Sequence, residues 1–177
     1  MFNALRMKSG LWYAKFRFRN RVDAVQNFTN AFSDAKEVLL LLPDDPTNVR
    51  ESEELLSALG YRFSGSRLTI LLGEKIQSLP RSLRTPNLIR LYSDAINKFF
   101  VPRKHIVSLI TRREYDVAFD LNLDLVLPYA YICKESNARF RVGFVKESSD
   151  VFYNFQVNSG GDPRSPYRYL AECLEMF

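Results

Sequence analysis

The hydrophobic pattern changes period several times along the chain, and each change marks a boundary between a strand and a helix. Val22, Val25, Phe28 and Phe32 recur at spacings of three and four, which predicts one apolar helix face. Residues 37–43 (EVLLLLP) then run without polar alternation, as a strand buried on both sides does. Asp44 and Asp45 supply an acidic cap, and Pro46 suits the first position of a helix. That helix carries Val49, Ser52, Leu56 and Leu59 on one face and is expected to stop at Gly60.

The alternation continues. Residues 67–72 (RLTILL) predict a second strand, residues 80–87 with two prolines a loop, and residues 87–92 a third strand. Pro102 opens a helix with Ile106, Val107 and Ile110 as its apolar positions. A fourth strand at 116–121 (DVAFDL), a helix near 123–135 and a fifth strand at 139–144 (RFRVGF) follow. Glycine, proline and serine crowd residues 158–166 (NSGGDPRSP) into a loop or linker. Residues 167–177 then form a short helix, with Tyr169, Leu170 and Cys173 available to dock. Strands alternating with helices require crossover connections, so the predicted fold class is α/β: Rossmann-like, a mostly parallel sheet flanked by helices, in a single domain. The domain is expected over 22–157, after an arm at 1–21 and before a linker and terminal helix at 158–177.

Composition bounds this picture without changing it. A chain of 177 residues with 46% hydrophobic and 14% aromatic residues suits one full core and excludes extensive disorder. No apolar run approaches the ~20 residues that span a bilayer, and Lys8, Lys15 and Arg17 interrupt any secretory h-region, so cytoplasmic residence is expected. Cys133 and Cys173 share no CxxC spacing and read as reduced structural thiols. With a single histidine, a Cys/His zinc site is disfavoured, and neither metal nor cofactor is expected.

Charge does change the picture, because it is localised. Residues 1–21 hold Arg6, Lys8, Lys15, Arg17, Arg19 and Arg21 and no acid, which leaves 19 basic against 20 acidic side chains elsewhere. The basic character belongs to the arm, whereas a nucleic-acid-binding domain spreads it over a folded face. Within the arm Trp12, Phe16, Arg17, Phe18 and Arg19 interleave aromatics with cations. This pattern suits an anionic membrane surface or a protein partner, and the plain alternative is a segment that packs on the domain. Stacking on single-stranded nucleic acid is a third, less favoured use.

Ligands of open parallel sheets bind at the carboxyl ends of the strands, near the point where strand order reverses. Asp44 and Asp45 follow the first strand, and Asp120, with Asn122 and Asp124, ends the fourth. A carboxylate there could accept a proton from a hydroxyl or orient a sugar. Helix capping accounts equally for Asp44 and Asp45, and a structural hydrogen bond for Asp120. There is no GxGxxG or GxxxxGK[ST], and Gly160-Gly161 lies outside any strand-to-helix turn. His105 stands beside Arg103 and Lys104 with no GxSxG in the chain, so a Ser/His nucleophile is not expected. Arg103/Lys104 and Arg112/Arg113 read as a solvated helix face.

Residues 115–121 (YDVAFDL), followed by 141–144 (RVGF), resemble the heptosyltransferase-like glycosyltransferases of the family 9 type. Those proteins carry a YD-apolar-apolar-apolar-D strand, a helix and an R-I/V-G-F strand in their N-terminal half. The VLLLLP strand before these motifs and Tyr153-Asn154 after them fall in the same order, so the similarity spans about residues 37–157. The resemblance implies the acceptor-side, Rossmann-like domain of a GT-B enzyme, whose donor domain lies on a second unit. Members place a Gly-Asp pair after the first strand, with that Asp the proposed base; here Asp44-Asp45-Pro46 stands near that point, without the glycine. The chain resembles more closely small bacterial proteins that keep only this half.

These observations lead first to a non-catalytic relative of the glycosyltransferase N-terminal half that acts by binding or assembly, with the inner membrane surface as one expected location. The alternatives are a glycosyltransferase component that gains its donor site from a partner chain or homodimer, and a nucleic-acid binder acting through the basic arm.

Overall fold

The strands β1 (Glu37–Leu41), β2 (Arg67–Gly73), β3 (Asn87–Leu91), β4 (Val117–Asp120), β5 (Phe140–Phe144) and β6 (Phe155–Val157) form one sheet in the order β3-β2-β1-β4-β5-β6. Every neighbouring pair is parallel. The computed structural model describes residues 2–21, 23, 32–79, 83, 87–158 and 165–176. This is a Rossmann-like sheet: the chain builds outward from β1 to β3, then returns to lay β4 on the other side of β1. Strand order therefore reverses between β1 and β4, which opens a crevice at their carboxyl ends.

Helices cover both faces, which is why β1 shows no polar alternation. Val38, Leu40, Ile70, Phe119 and Val142 face one core. It is closed by α2 (Pro46–Glu51), α3 (Glu53–Arg62) and α6 (Pro166–Glu175). Leu39, Leu41, Leu71 and Ala118 face the other, under α1 (Phe2–Phe18), α4 (Lys104–Thr111) and α5 (Leu127–Glu135). Each buried leucine contributes about 1.5–3 kcal/mol relative to an exposed one.

Several boundaries differ from expectation. The helix predicted from Pro46 breaks at Ser52, whose hydroxyl bonds the Val49 carbonyl at 2.9 Å, and runs past Gly60 to Arg62. Its predicted apolar face is nonetheless buried: Val49, Ser52, Leu56 and Leu59 all turn inward. Pro102 makes an antiparallel bridge with Ile96, and α4 starts at Lys104 instead. Residues 123–126 are loop, so α5 is shorter than predicted at its start. The terminal helix buries Tyr167, Leu170 and Leu174 most deeply, while Tyr169 and Cys173 pack at the edge of the core. β6 is an additional strand of three residues. Of the apolar positions of the helix expected from Val22, only Phe32 is described, and it is buried; Val22, Val25 and Phe28 lie outside the described residues. So do 80–82, 84–86 and 159–164 within the two predicted loops.

The basic arm joins the same domain. α1 turns Gly10, Ala14 and Phe18 onto the body, and a Cβ at Gly10 would sit 1.9 Å from the Phe99 carbonyl oxygen, so only glycine permits this approach. Phe18 packs against Tyr131, with ring centroids 4.9 Å apart. Beyond the helix, Arg21 pairs with Glu135 at 2.9 Å, and Asp23 receives both Arg141 (2.5 Å) and Lys134 (3.2 Å). Burial would raise the Asp23 carboxyl, but the Arg141 and Lys134 charges outweigh it and hold the group below the usual carboxylate range.

Candidate functional site

Asp120 is the last residue of β4 and lies level with Leu41 of β1. Its side chain is 0% exposed. An ionised carboxylate at that depth must be saturated with donors. Tyr153 Oη donates to Oδ2 at 2.6 Å, while Asn122 donates to Oδ1 through its backbone nitrogen (3.1 Å) and Nδ2 (2.8 Å). Asn122 Oδ1 then accepts from the backbone nitrogen of Asp44 at 2.8 Å. One continuous chain of hydrogen bonds thus ties the loop after β4 to the loop after β1, across the reversal point.

Tyr153 reaches Asp120 by lying over Gly143, where a Cβ would stand 2.9 Å from the ring. Burial and the Asp120 charge push the Tyr153 phenol well above its ordinary range, so it stays a donor. Lys146 completes this inner layer. Its Nζ donates to the Asn122 carbonyl at 2.6 Å and the Asp124 carbonyl at 3.3 Å, and lies 5.1 Å from the centre of the Tyr153 ring.

Asp44 forms the outer layer. Its Oδ1 accepts from Tyr129 Oη at 3.3 Å, and its Oδ2 pairs with Lys75 Nζ at 3.3 Å. Burial, followed by the charges of Asp44 and Asp120, drives the Tyr129 phenol far above its ordinary range, so it too remains protonated. Gly73, the last residue of β2, makes this pairing possible: a Cβ there would lie 2.7 Å from Asp44 Oδ1 and 2.8 Å from Tyr129 Oη. The Asp44 side chain keeps 36% exposure and lines a cavity of about 340 Å³. Lys75, Glu74, Ser93 and Tyr129 share its polar rim, and Leu91, Ile96 and Leu127 supply apolar wall. Glu74 is itself fixed, accepting from Ser93 N (3.1 Å) and Oγ (3.2 Å).

The two neighbouring aspartates therefore part company. Asp45 is the N-cap of α2, its Oδ1 accepting from Thr47 N at 2.8 Å, whereas Asp44 faces the crevice. The structure brings Asp44, Asp120 and Asn122 into one network. Asp124 contributes its carbonyl to Lys146, and the residue is exposed. Tyr129, Tyr153, Lys75 and Lys146 are the partners that sequence reasoning missed. The two tyrosines sit among apolar neighbours, where they look like core. The lysines reach the site from loops that follow β2 and β5. Among the described residues, no three His, Cys, Asp or Glu side chains are grouped to hold a metal ion.

The aromatic arm residues divide by direction. Phe18 is 3% exposed and belongs to the core, which removes it from any outward surface. Arg17 turns towards the body and pairs with Glu135 at 3.5 Å. Trp12 and Phe16 stay exposed and stack with centroids 5.9 Å apart, and the Arg19 guanidinium lies 4.1 Å from the Phe16 ring centre. Among the described residues no helix is long and apolar enough to cross a membrane.

Comparison with known proteins gives a family and no activity. No curated protein and no solved structure matches the chain. A model described as a family of unknown function, DUF6913, matches residues 6–165, from within α1 through the whole sheet. Both layers of the crevice and most of the docked arm fall inside that span, and the chain belongs to the DUF6913 family.

Proposed function

We propose that this chain is a non-catalytic binding domain, akin to the acceptor-side half of a glycosyltransferase, that holds a small hydroxylated ligand over Asp44. The observation that carries this is the Asp44 carboxylate itself. It stands at the mouth of a 340 Å³ cavity at the strand-order reversal, with Tyr129 and Lys75 fixing its two oxygens. A cavity of that size falls at the lower end of the ~300–1,000 Å³ typical of small-molecule sites. Its mix of carboxylate, ammonium and hydroxyl rim over apolar wall suits a sugar or sugar phosphate, which offers hydroxyls to Asp44 and Glu74 and an anionic group to Lys75.

Binding without turnover is supported by how the carboxylates are used. Asp45 is committed to a helix cap, and Asp120 is sealed beneath Tyr153. Asp44 already accepts a donor on each oxygen, so it orients a hydroxyl better than it removes a proton from one. The alternative, a transferase component completed by a donor-binding partner, draws on Asp44 standing in the loop after β1, near the point where the resembling enzymes carry their base.

Thermal unfolding in the presence of a panel of monosaccharides and sugar phosphates tests the proposal. Binding predicts a saturable rise in Tm with at least one class, lost in Asp44→Asn and weakened in Lys75→Ala. Stabilisation that survives Asp44→Asn, or none with any compound, contradicts it. Consumption of a nucleotide sugar once a partner protein is added would favour the transferase alternative.

A further inference from the structure

α1 carries two apolar stripes on opposite faces. Met7, Gly10, Leu11, Ala14 and Phe18 turn towards the body, while Phe2, Leu5, Trp12 and Phe16 are 80%, 65%, 70% and 51% exposed. The outward four recur at helical spacing, so they form one ridge about 20 Å long. Docking on the body uses only the first stripe; among the described residues the second covers nothing.

The ridge has a neighbour that the helix did not supply. The loop at residues 97–101 rests on Gly10 and presents Phe99, 40% exposed, across a groove of about 840 Å³ from Trp12. Asn97 Oδ1 holds that loop by accepting from Phe99 N (2.9 Å) and Val101 N (3.1 Å), and Phe100 takes a left-handed φ of 60° to complete the turn. Lys98 Nζ lies 5.2 Å from the Phe99 ring centre, as Arg19 lies over Phe16. The surface therefore consists of aromatic and aliphatic tips, with cations beside Phe16 and Phe99, on two elements fixed to one another.

We propose that this surface docks on an anionic membrane, with Trp12, Phe16, Leu5 and Phe99 entering the headgroup layer and Lys8, Lys15, Arg19 and Lys98 facing lipid phosphates. Charge selects this occupant. No acidic residue occurs before Asp23, so two copies packed ridge to ridge would oppose cations with cations. Nucleic acid needs a basic track beyond the aromatics, and outside the arm the charge is balanced, with 19 basic and 20 acidic side chains. An anionic bilayer satisfies both parts at once: apolar tips with a cationic border are what interfacial helices present.

Trp12 is the only tryptophan, so its emission reports the contact directly in the full-length chain. Vesicles of phosphatidylcholine containing phosphatidylglycerol should shift Trp12 emission to the blue and carry the protein up in flotation, with pure phosphatidylcholine doing far less. Lys8→Glu and Lys15→Glu should each weaken binding at least about fivefold, the worth of one cation near an anionic surface. Leu5→Ser/Phe16→Ser should abolish flotation while thermal unfolding stays as in the parent, because both side chains are exposed. Unchanged emission with anionic vesicles, an equal response to neutral ones, or a shift that follows protein concentration or added single-stranded RNA in place of lipid would overturn the proposal.

Discussion

Tyr153 donates its hydroxyl to Asp120 at 2.6 Å, and this bond seals the carboxylate that anchors both crevice loops. Removing the hydroxyl leaves a buried charge short of one donor. Tyr153→Phe should therefore cost about 1.5–3 kcal/mol, the worth of a hydrogen bond to a charged group. Urea unfolding measures this as a fall in midpoint with little change in slope.

Gly143 holds the same bond from below. A Cβ there would press on the Tyr153 ring at 2.9 Å, so Gly143→Ala should destabilise by about 1–3 kcal/mol, as overpacking does. The cost should shrink in a Tyr153→Leu background, where the ring is absent. A double-mutant cycle detects the coupling, and strict additivity would show that the two sites do not share the strain.

The cluster around Asp23 predicts an acid limb in the stability curve. The Asp23 carboxyl is lowered in the folded chain, so its stabilisation is complete above the unfolded value of about 4 and is lost as pH falls through the folded value. Asp23→Asn should flatten that limb and cost about 1–3 kcal/mol at neutral pH, less than a sealed pair would, because Asp23 is partly exposed. Burial, helped by the Arg141 charge, disfavours the charged form of Lys134, so Lys134→Met should recover part of the loss. Circular dichroism melts from about pH 2 to 7, which spans the carboxylate range, compare the parent with Asp23→Asn and with the Asp23→Asn/Lys134→Met double variant.

Cys133 is fully buried in α5, and burial together with the Asp120 charge pushes its thiol up, away from the thiolate form. Native protein should therefore release one equivalent at most with a thiol reagent, from the half-buried Cys173, and the second only on unfolding. Two rapid equivalents from the folded chain would contradict this arrangement.

The fold was legible wherever burial on both faces erased alternation, as in residues 38–41 of β1 and 117–120 of β4. β6 was not, because its three residues place Gln156 between two apolar neighbours and owe their conformation to pairing with β5. The position of the site followed from topology: carboxylates at two strand ends meet wherever the order reverses. Which of Asp44 and Asp45 caps α2 was undetermined, since both precede Pro46; the choice is made by Asn122, from 78 residues away, holding the Asp44 backbone. Tyr129 and Tyr153 stayed hidden for a different reason. A tyrosine inside an apolar segment reveals where its ring packs and nothing of where its hydroxyl reaches. The arm showed interleaved aromatics and cations, but only docking at Gly10 separates the stripe that faces the body from the ridge that faces out.

Gly73 offers the most direct test of the crevice, because a Cβ in Gly73→Ala would press on both Asp44 Oδ1 and the Tyr129 hydroxyl and so part the pair. The decisive measurement is amide chemical-shift mapping of the parent and this variant with a sugar phosphate that raises the parent Tm. The parent should show saturable shifts clustered at Asp44, Lys75, Ser93 and Tyr129, and Gly73→Ala should show none at the same concentration. Shifts confined to other surfaces, or identical in both proteins, would mean that the crevice over Asp44 is not the binding site.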